Sequence, residues 1–177
     1  SHVATNLALT LSDSYRRKVL LVDADLRRPT LHTLFRIPPS AQGLAEALAA
    51  EEEQLPDGVR VTEQLTVIPG GRPNPNPVGD LASGRLSRLI AKAVSRYDWV
   101  LIDTPPAAGL ADARIVSEAA DATLVVVRAG VTRFPDLSDA VQALGAERVL
   151  GVVLNAADPS EIRGDDYYGA YYNAGAR

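Results

Sequence analysis

A chain of 177 residues, 46% hydrophobic and 23% charged, has the length and composition of one globular domain with a sizeable core. A net charge of −4 with no long basic block argues against nucleic acid, and no apolar run approaches the ~20 residues of a membrane span. The absence of cysteine excludes disulfides and thiolate chemistry and suits a reducing compartment.

In chain order, Val3, Leu7 and Leu11 are four apart and predict a helix from Val3 to Leu11. Lys18 to Asp23 reads as a first strand, and Gly43 to Leu48 as a short helix. Leu65 to Ile68 is a second strand leading into the stiff, proline-rich stretch Pro69–Pro77, which can be the interior of neither a strand nor a helix. Leu86, Leu89, Ile90, Ala93 and Val94 mark an amphipathic helix. The strand Asp98–Asp103, a helix from about Asp112 to Ala120, the strand Ala122–Val127, a helix around Leu137–Leu144 and the strand Val149–Leu154, ending at Asn155, complete the series. Five apolar strands alternating with helices predict a doubly wound, mainly parallel α/β sheet. Because the strands are apolar without alternation, each is expected to carry helices on both faces.

Two of these strands end in acid. Val19-Leu-Leu-Val-Asp23-Ala-Asp25 delivers two carboxylates at i and i+2 to a strand end, and Arg27 and Arg28 follow at once. Asp98-Trp-Val-Leu-Ile-Asp103-Thr-Pro-Pro106 ends in a single carboxylate before a loop held by two prolines. In open parallel sheets ligands bind at the carboxyl ends of strands, and an apolar strand closed by Asp is the form of a Walker B element that holds Mg²⁺. Asp23, Asp25 and Asp103 are therefore expected to cluster at one end of the sheet, where Arg27 and Arg28 suit a phosphate or a neighbouring subunit. From 158 to 177 the pattern changes to a Gly-, Asp- and Tyr-rich tail without periodicity. It holds Tyr167, Tyr168, Tyr171 and Tyr172, four of the six tyrosines. We read residues 1–157 as the domain and 158–177 as its tail.

The run Leu20–Pro29 with Thr30–Phe35, the Walker B-like Leu101–Pro106, the Pro-Asn-Pro stretch in Gly71–Pro77, Gly151–Asn155 and the terminal tyrosine cluster together resemble the bacterial tyrosine kinases (BY-kinases) of capsular and exopolysaccharide systems, relatives of the MinD/ParA deviant-Walker ATPases. The resemblance covers nearly the whole chain and implies a P-loop NTPase-like fold using ATP and Mg²⁺. It implies Mg²⁺ held by Ser1, Asp25 and Asp103, Asp23 as acceptor of the tyrosine proton, and Arg27 and Asn155 at the nucleotide. It also implies autophosphorylation of the four tail tyrosines in trans within a ring-like homo-oligomer. The partners it implies are a transmembrane polysaccharide co-polymerase or activator, fused or separate, and a cognate tyrosine phosphatase. They would place the protein in the cytoplasm at the inner face of the membrane.

One departure bears on these expectations. The family's Gly-Lys-[Ser/Thr] Walker A loop and the strand before it are not in this sequence, and Val3–Ala8 resembles the helix that follows that loop. With no methionine and Ser1 at its start, the sequence is expected to have more residues upstream. Ser1 then has two readings, the last Ser/Thr of the loop or, with His2, a tag remnant. Without the loop's amides and lysine, the 177 residues alone are expected to bind ATP–Mg poorly. A non-kinase MinD/ParA-type ATPase shares the acids, and a degenerate non-catalytic assembly module would account for the absent loop. The tyrosine tail and the Leu-Arg-Arg-Pro extension argue against the ATPase.

Overall fold

The computed structural model describes residues 1–158 apart from residues 39, 53, 108 and 110. Helix α1 (His2–Leu9) continues as a π-turn over Thr10–Ser14 and leads to β1 (Val19–Asp23). Then come α2 (Leu31–Leu34), α3 (Leu44–Ala49), β2 (Val59–Arg60), β3 (Leu65–Ile68), α4 (Val78–Ala82) and α5 (Arg85–Val94). The order ends with β4 (Trp99–Asp103), α6 (Ala111–Glu118), β5 (Thr123–Arg128), α7 (Phe134–Leu144) and β6 (Val149–Asn155).

β1 is the centre of a four-stranded sheet ordered β2-β3-β1-β4. It pairs in parallel with β3 and β4, while the two-residue β2 runs antiparallel along the edge of β3. All five β1 residues are buried, and the period-2 alternation of a strand divides them between two cores. Leu20 and Val22 pack with Ile68, Leu44, Leu86 and Leu89 beneath α3 and α5. Val19 and Leu21 pack on the opposite face with Leu65, Val67, Ala8 and Leu31, under α1 and α2. This double burial explains why the sequence of β1 is apolar without a polar face. In α5 the buried Leu86, Leu89 and Ala93 fall at i, i+3 and i+7 with Ile90 half-buried beside them, whereas Val94, read from the sequence as part of this stripe, is exposed because it lies in the last turn beyond the packed face.

Three expectations change. The described residues hold six strands rather than five, because β2 is too short to leave a periodic signal. Short helices α2 and α4 likewise carry too few turns for a visible stripe. The expectation that every strand is covered on both faces fails for β5 and β6, which pair in parallel as a separate two-stranded sheet. There α6 and α7 cover one face, where Ala113 and Leu144 meet Val125 and Val127. Leu124 and Val126 of β5 are exposed on the other face, and Leu150, Val152 and Leu154 of β6 are exposed as well, Val152 and Leu154 lying level with the buried Val125 and Val127. An uninterrupted apolar run states that burial on both faces is chemically suitable, not that helices occupy both. Among the described residues, no helix is long and apolar enough to cross a membrane.

Truncating β1 should therefore be felt in the whole sheet. Leu21 is fully buried between β3 and β4, and Leu21→Ala should lower unfolding free energy by about 2–5 kcal/mol through lost burial and a residual cavity. Urea unfolding measures it; a loss under about 1 kcal/mol would mean that the site collapses around the smaller side chain.

Candidate active site

The parallel register of β1 and β4 places Asp23 directly opposite Asp103 at the carboxyl ends of the two strands. The chain leaves β1 by a hydrogen bond from the Ala24 N–H to the Asp103 carbonyl, 2.7 Å, which keeps the two ends together. Asp23 is fully buried and Asp103 is 7% exposed. Such burial of carboxylates is tolerable only with hydrogen bonding, countercharge or an upward shift in pKa.

Asp23 is satisfied by its own loop. Its Oδ2 accepts the backbone N–H groups of Thr30 and Leu31, both at 2.9 Å, and its Oδ1 accepts that of Asp25 at 3.2 Å. The segment 24–31 is thus wrapped around the carboxylate that precedes it. Burial raises the Asp23 pKa above its ordinary value; the amides of Leu31 and Thr30 pull it down, and the charge of Asp103 raises it again. The net direction is upward.

Asp25 sits on the loop, half-buried, with Oδ1 accepting the Arg28 N–H at 3.0 Å. Ser1 reaches the same place. Its backbone nitrogen lies 3.2 Å from Asp103 Oδ1, and its hydroxyl accepts a hydrogen bond from Thr30 Oγ1 at 2.8 Å. The other oxygen of Asp103, Oδ2, is buried without a hydrogen-bond partner among the described residues. An orphaned buried carboxylate oxygen beside a serine hydroxyl and a second buried acid is a hard-oxygen donor set, and this fits Mg²⁺. Among the described residues no three acids or histidines stand close enough to cage a metal.

Arg27 is engaged elsewhere. Its guanidinium grips the buried Asp112 at the start of α6, Nε to Oδ2 at 2.6 Å and Nη2 to Oδ1 at 3.2 Å. Its Nη1 donates to the Pro75 carbonyl at 2.6 Å. Asn155 is exposed at the end of β6, its carbonyl accepting the Ala129 N–H at 2.9 Å. Tyr167, Tyr168, Tyr171 and Tyr172 lie outside the described residues.

Two acids that sequence reasoning passed over organise the surrounding loops. Asp112 is one. Glu46 is the other: it accepts the Gly43 N–H at 2.8 Å and the Arg72 N–H at 3.0 Å, joining the start of α3 to the loop after β3. Burial works against the charge of Glu46, but the amides of Gly43 and Arg72 prevail and hold its pKa below the ordinary value. Its spacing from Gly43 is that of a capping box, a signal present in the sequence. Gly71 has φ of +81°, which glycine adopts without strain, and a Cβ there would strike the Glu46 carboxylate. At Gly70 a Cβ would come within 2.7 Å of the Pro29 side chain, so this glycine lets the loop close beside Asp23.

The model of the family described as cellulose biosynthesis protein BcsQ matches residues 1–166. Tyrosine-protein kinase YwqD of Bacillus subtilis is 34% identical over 98% of this chain and 73% of its own length. The chain belongs to the bacterial tyrosine kinases. The enzyme class of that family is protein-tyrosine kinase. Some relatives are far longer: the chain spans 22% of tyrosine-protein kinase wzc of Salmonella typhimurium, at 37% identity over 87% of the chain. The VpsO kinase domain superposes with a TM-score of 0.78 at 32% identity, over 88% of this chain and 77% of that one. A MinD structure with Mg-ADP from Pyrococcus horikoshii shares the P-loop NTPase fold, with a TM-score of 0.67 at 24% identity, over 86% of this chain and 62% of that one.

The raised pKa of Asp23 has a measurable consequence. The native state holds this proton to higher pH than the unfolded chain does, so its contribution to stability falls as pH rises from the ordinary carboxylate range through the raised value. Thermal unfolding of wild type and Asp23→Asn between about pH 4 and 7 should show the difference in Tm shifting toward the variant as pH rises. A difference independent of pH would mean that Asp23 titrates as it does in the unfolded chain.

Proposed function

We propose that the protein is an ATP- and Mg²⁺-dependent tyrosine kinase that phosphorylates Tyr167, Tyr168, Tyr171 and Tyr172 of a neighbouring copy, and that this controls polysaccharide synthesis or export. The observation that carries the proposal is the pairing of Asp23 with Asp103 at the strand ends, beside Asp25 and the Ser1 hydroxyl. Ser1 and Asp103, with Asp25 from the loop, would hold Mg²⁺. The ion supplies charge neutralisation on the transferring phosphoryl group, where positioning and electrostatics do most of the work. Asp23 accepts the proton of the tyrosine hydroxyl. Desolvation makes it a stronger base, and Oδ1, which takes only the long 3.2 Å bond, has the spare lone pair. Asn155, at the end of its own strand, is assigned to the nucleotide base.

The tail fits the acceptor role on chemical grounds. Four tyrosines within six residues, among glycines and the acids Asp165 and Asp166, have no core-forming pattern. Each phosphate adds roughly −1.5 to −2 charges, so a multiply modified tail repels itself and any acidic site that holds it. An unmodified tail docked in a neighbour and a modified tail released from it give a physical means of closing and opening a ring-like homo-oligomer. A transmembrane polysaccharide co-polymerase or activator, fused or separate, would hold the kinase at the inner face of the membrane, and a tyrosine phosphatase would reset the tail.

The test mixes full-length Asp23→Ala protein, inactive but with its tail intact, with active protein whose four tail tyrosines are Phe. Mass spectrometry should find phosphate on Tyr167, Tyr168, Tyr171 or Tyr172 of the inactive partner. Phosphate confined to Tyr15 or Tyr97, or none on any tyrosine, would sink the proposal in favour of a MinD-like ATPase or an assembly module.

A further inference from the structure

The loop that carries Asp25 is held at more points than a surface turn requires. Asp23 anchors both ends through the amides of Asp25, Thr30 and Leu31. Leu26 is fully buried, and its carbonyl accepts the Asn74 N–H at 2.8 Å. Between these anchors Arg27 leaves the loop sideways. Three of its N–H groups reach two other segments: the Asp112 carboxylate at the start of α6 and the Pro75 carbonyl in the proline-rich loop. Asp112 is itself fully buried at the level of the whole residue, so its charge is tolerable only with this partner. One cation thus ties together the loop after β1, the loop after β3 and the helix that follows β4.

We propose that Arg27 is a positioning residue: through Asp112 and Pro75 it sets where Asp25 stands relative to Asp103, and so governs how tightly the site takes Mg²⁺. The proposal rests on the reading of these acids as a Mg²⁺–nucleotide site and goes beyond it in taking Arg27 away from direct contact with phosphate. The geometry is specific to arginine. A planar fork can address a carboxylate with two parallel N–H groups and a carbonyl with a third, whereas an ammonium is a point charge that cannot span both segments. Groups that orient metal ligands at one remove commonly change metal affinity or activity by about 10- to 100-fold when removed.

Full-length wild type, Arg27→Lys, Arg27→Met, Asp112→Asn and the double variant Arg27→Met/Asp112→Asn are compared for Mg²⁺-dependent binding of a fluorescent ADP. Thermal unfolding is followed alongside. Each single variant should raise the half-saturating Mg²⁺ concentration by about 10-fold or more, with Arg27→Lys as impaired as Arg27→Met. The double variant should be no worse than the worse single, because the two residues act as one unit. Arg133→Met, which breaks the exposed pair with Asp136, should leave the Mg²⁺ dependence unchanged. A lowered Tm with wild-type Mg²⁺ dependence would reduce the clamp to a structural contact and overturn the proposal, as would full rescue by Arg27→Lys. The readout needs no phosphoryl transfer. A wild type that binds Mg²⁺ and nucleotide but modifies no tyrosine would end the kinase reading alone, and one with no Mg²⁺-dependent binding would end both.

Discussion

A buried carboxylate that accepts hydrogen bonds from the backbone following it is the constraint on which this site depends. Asp23 stands where β1 runs out of strand, and its two oxygens take the amides of Asp25, Thr30 and Leu31. Removing a charge from water is costly unless its lone pairs are satisfied, so the loop has little freedom to depart from this path. The loop in turn places Asp25, sends Arg27 to Asp112 and Pro75, and presents Thr30 to Ser1. Without Asp23 the loop that carries Asp25 would lose the carboxylate to which both its ends are hydrogen-bonded.

The sheet supplies the rigidity this requires. β1 is buried on both faces and paired on both edges, so Asp23 and Asp103 are carried on adjacent strands in a fixed register. A site built on strand ends is placed more accurately than one assembled from loops alone. The surrounding loops are then fastened to it by two further acids: Glu46 closes the loop after β3 onto α3, and Asp112 fastens the loop after β1 to α6. These acids differ in surroundings: Glu46 and Asp112 have their oxygens occupied by donors, while Asp103 keeps one buried oxygen without a partner among the described residues.

The same physics accounts for the uneven cover of the two sheets. Every position of β1 is sealed between cores, but β5 buries Val125 and Val127 beneath α6 and α7 and exposes Leu124 and Val126, and β6 exposes Leu150, Val152 and Leu154. Composition is nearly the same in the two cases. The difference lies in which helices reach which face, and that depends on the path of the connections.

Much of this was legible in the residues themselves. Apolar runs ended by Asp23 and Asp103 announce strands and their carboxyl ends, and the spacing of Leu86, Leu89 and Ala93 announces a helix, because burial imposes a period on the chain. The capping-box spacing of Gly43 and Glu46 was likewise present, since caps are local interactions between near neighbours. What lay beyond reach was long-range. Arg27 is 85 residues from Asp112 and 48 from Pro75, and no local pattern tells an arginine that will grip a distant carboxylate from one that will hold phosphate. The sequence by itself determined the periods, the strand ends and the acids upon them, all of which follow from interactions between residues close along the chain. Only the tertiary structure decided that Asp23 faces Asp103 in register, which arginine is committed to the scaffold and which sheet face stays uncovered, because each depends on where segments far apart in the chain come to lie.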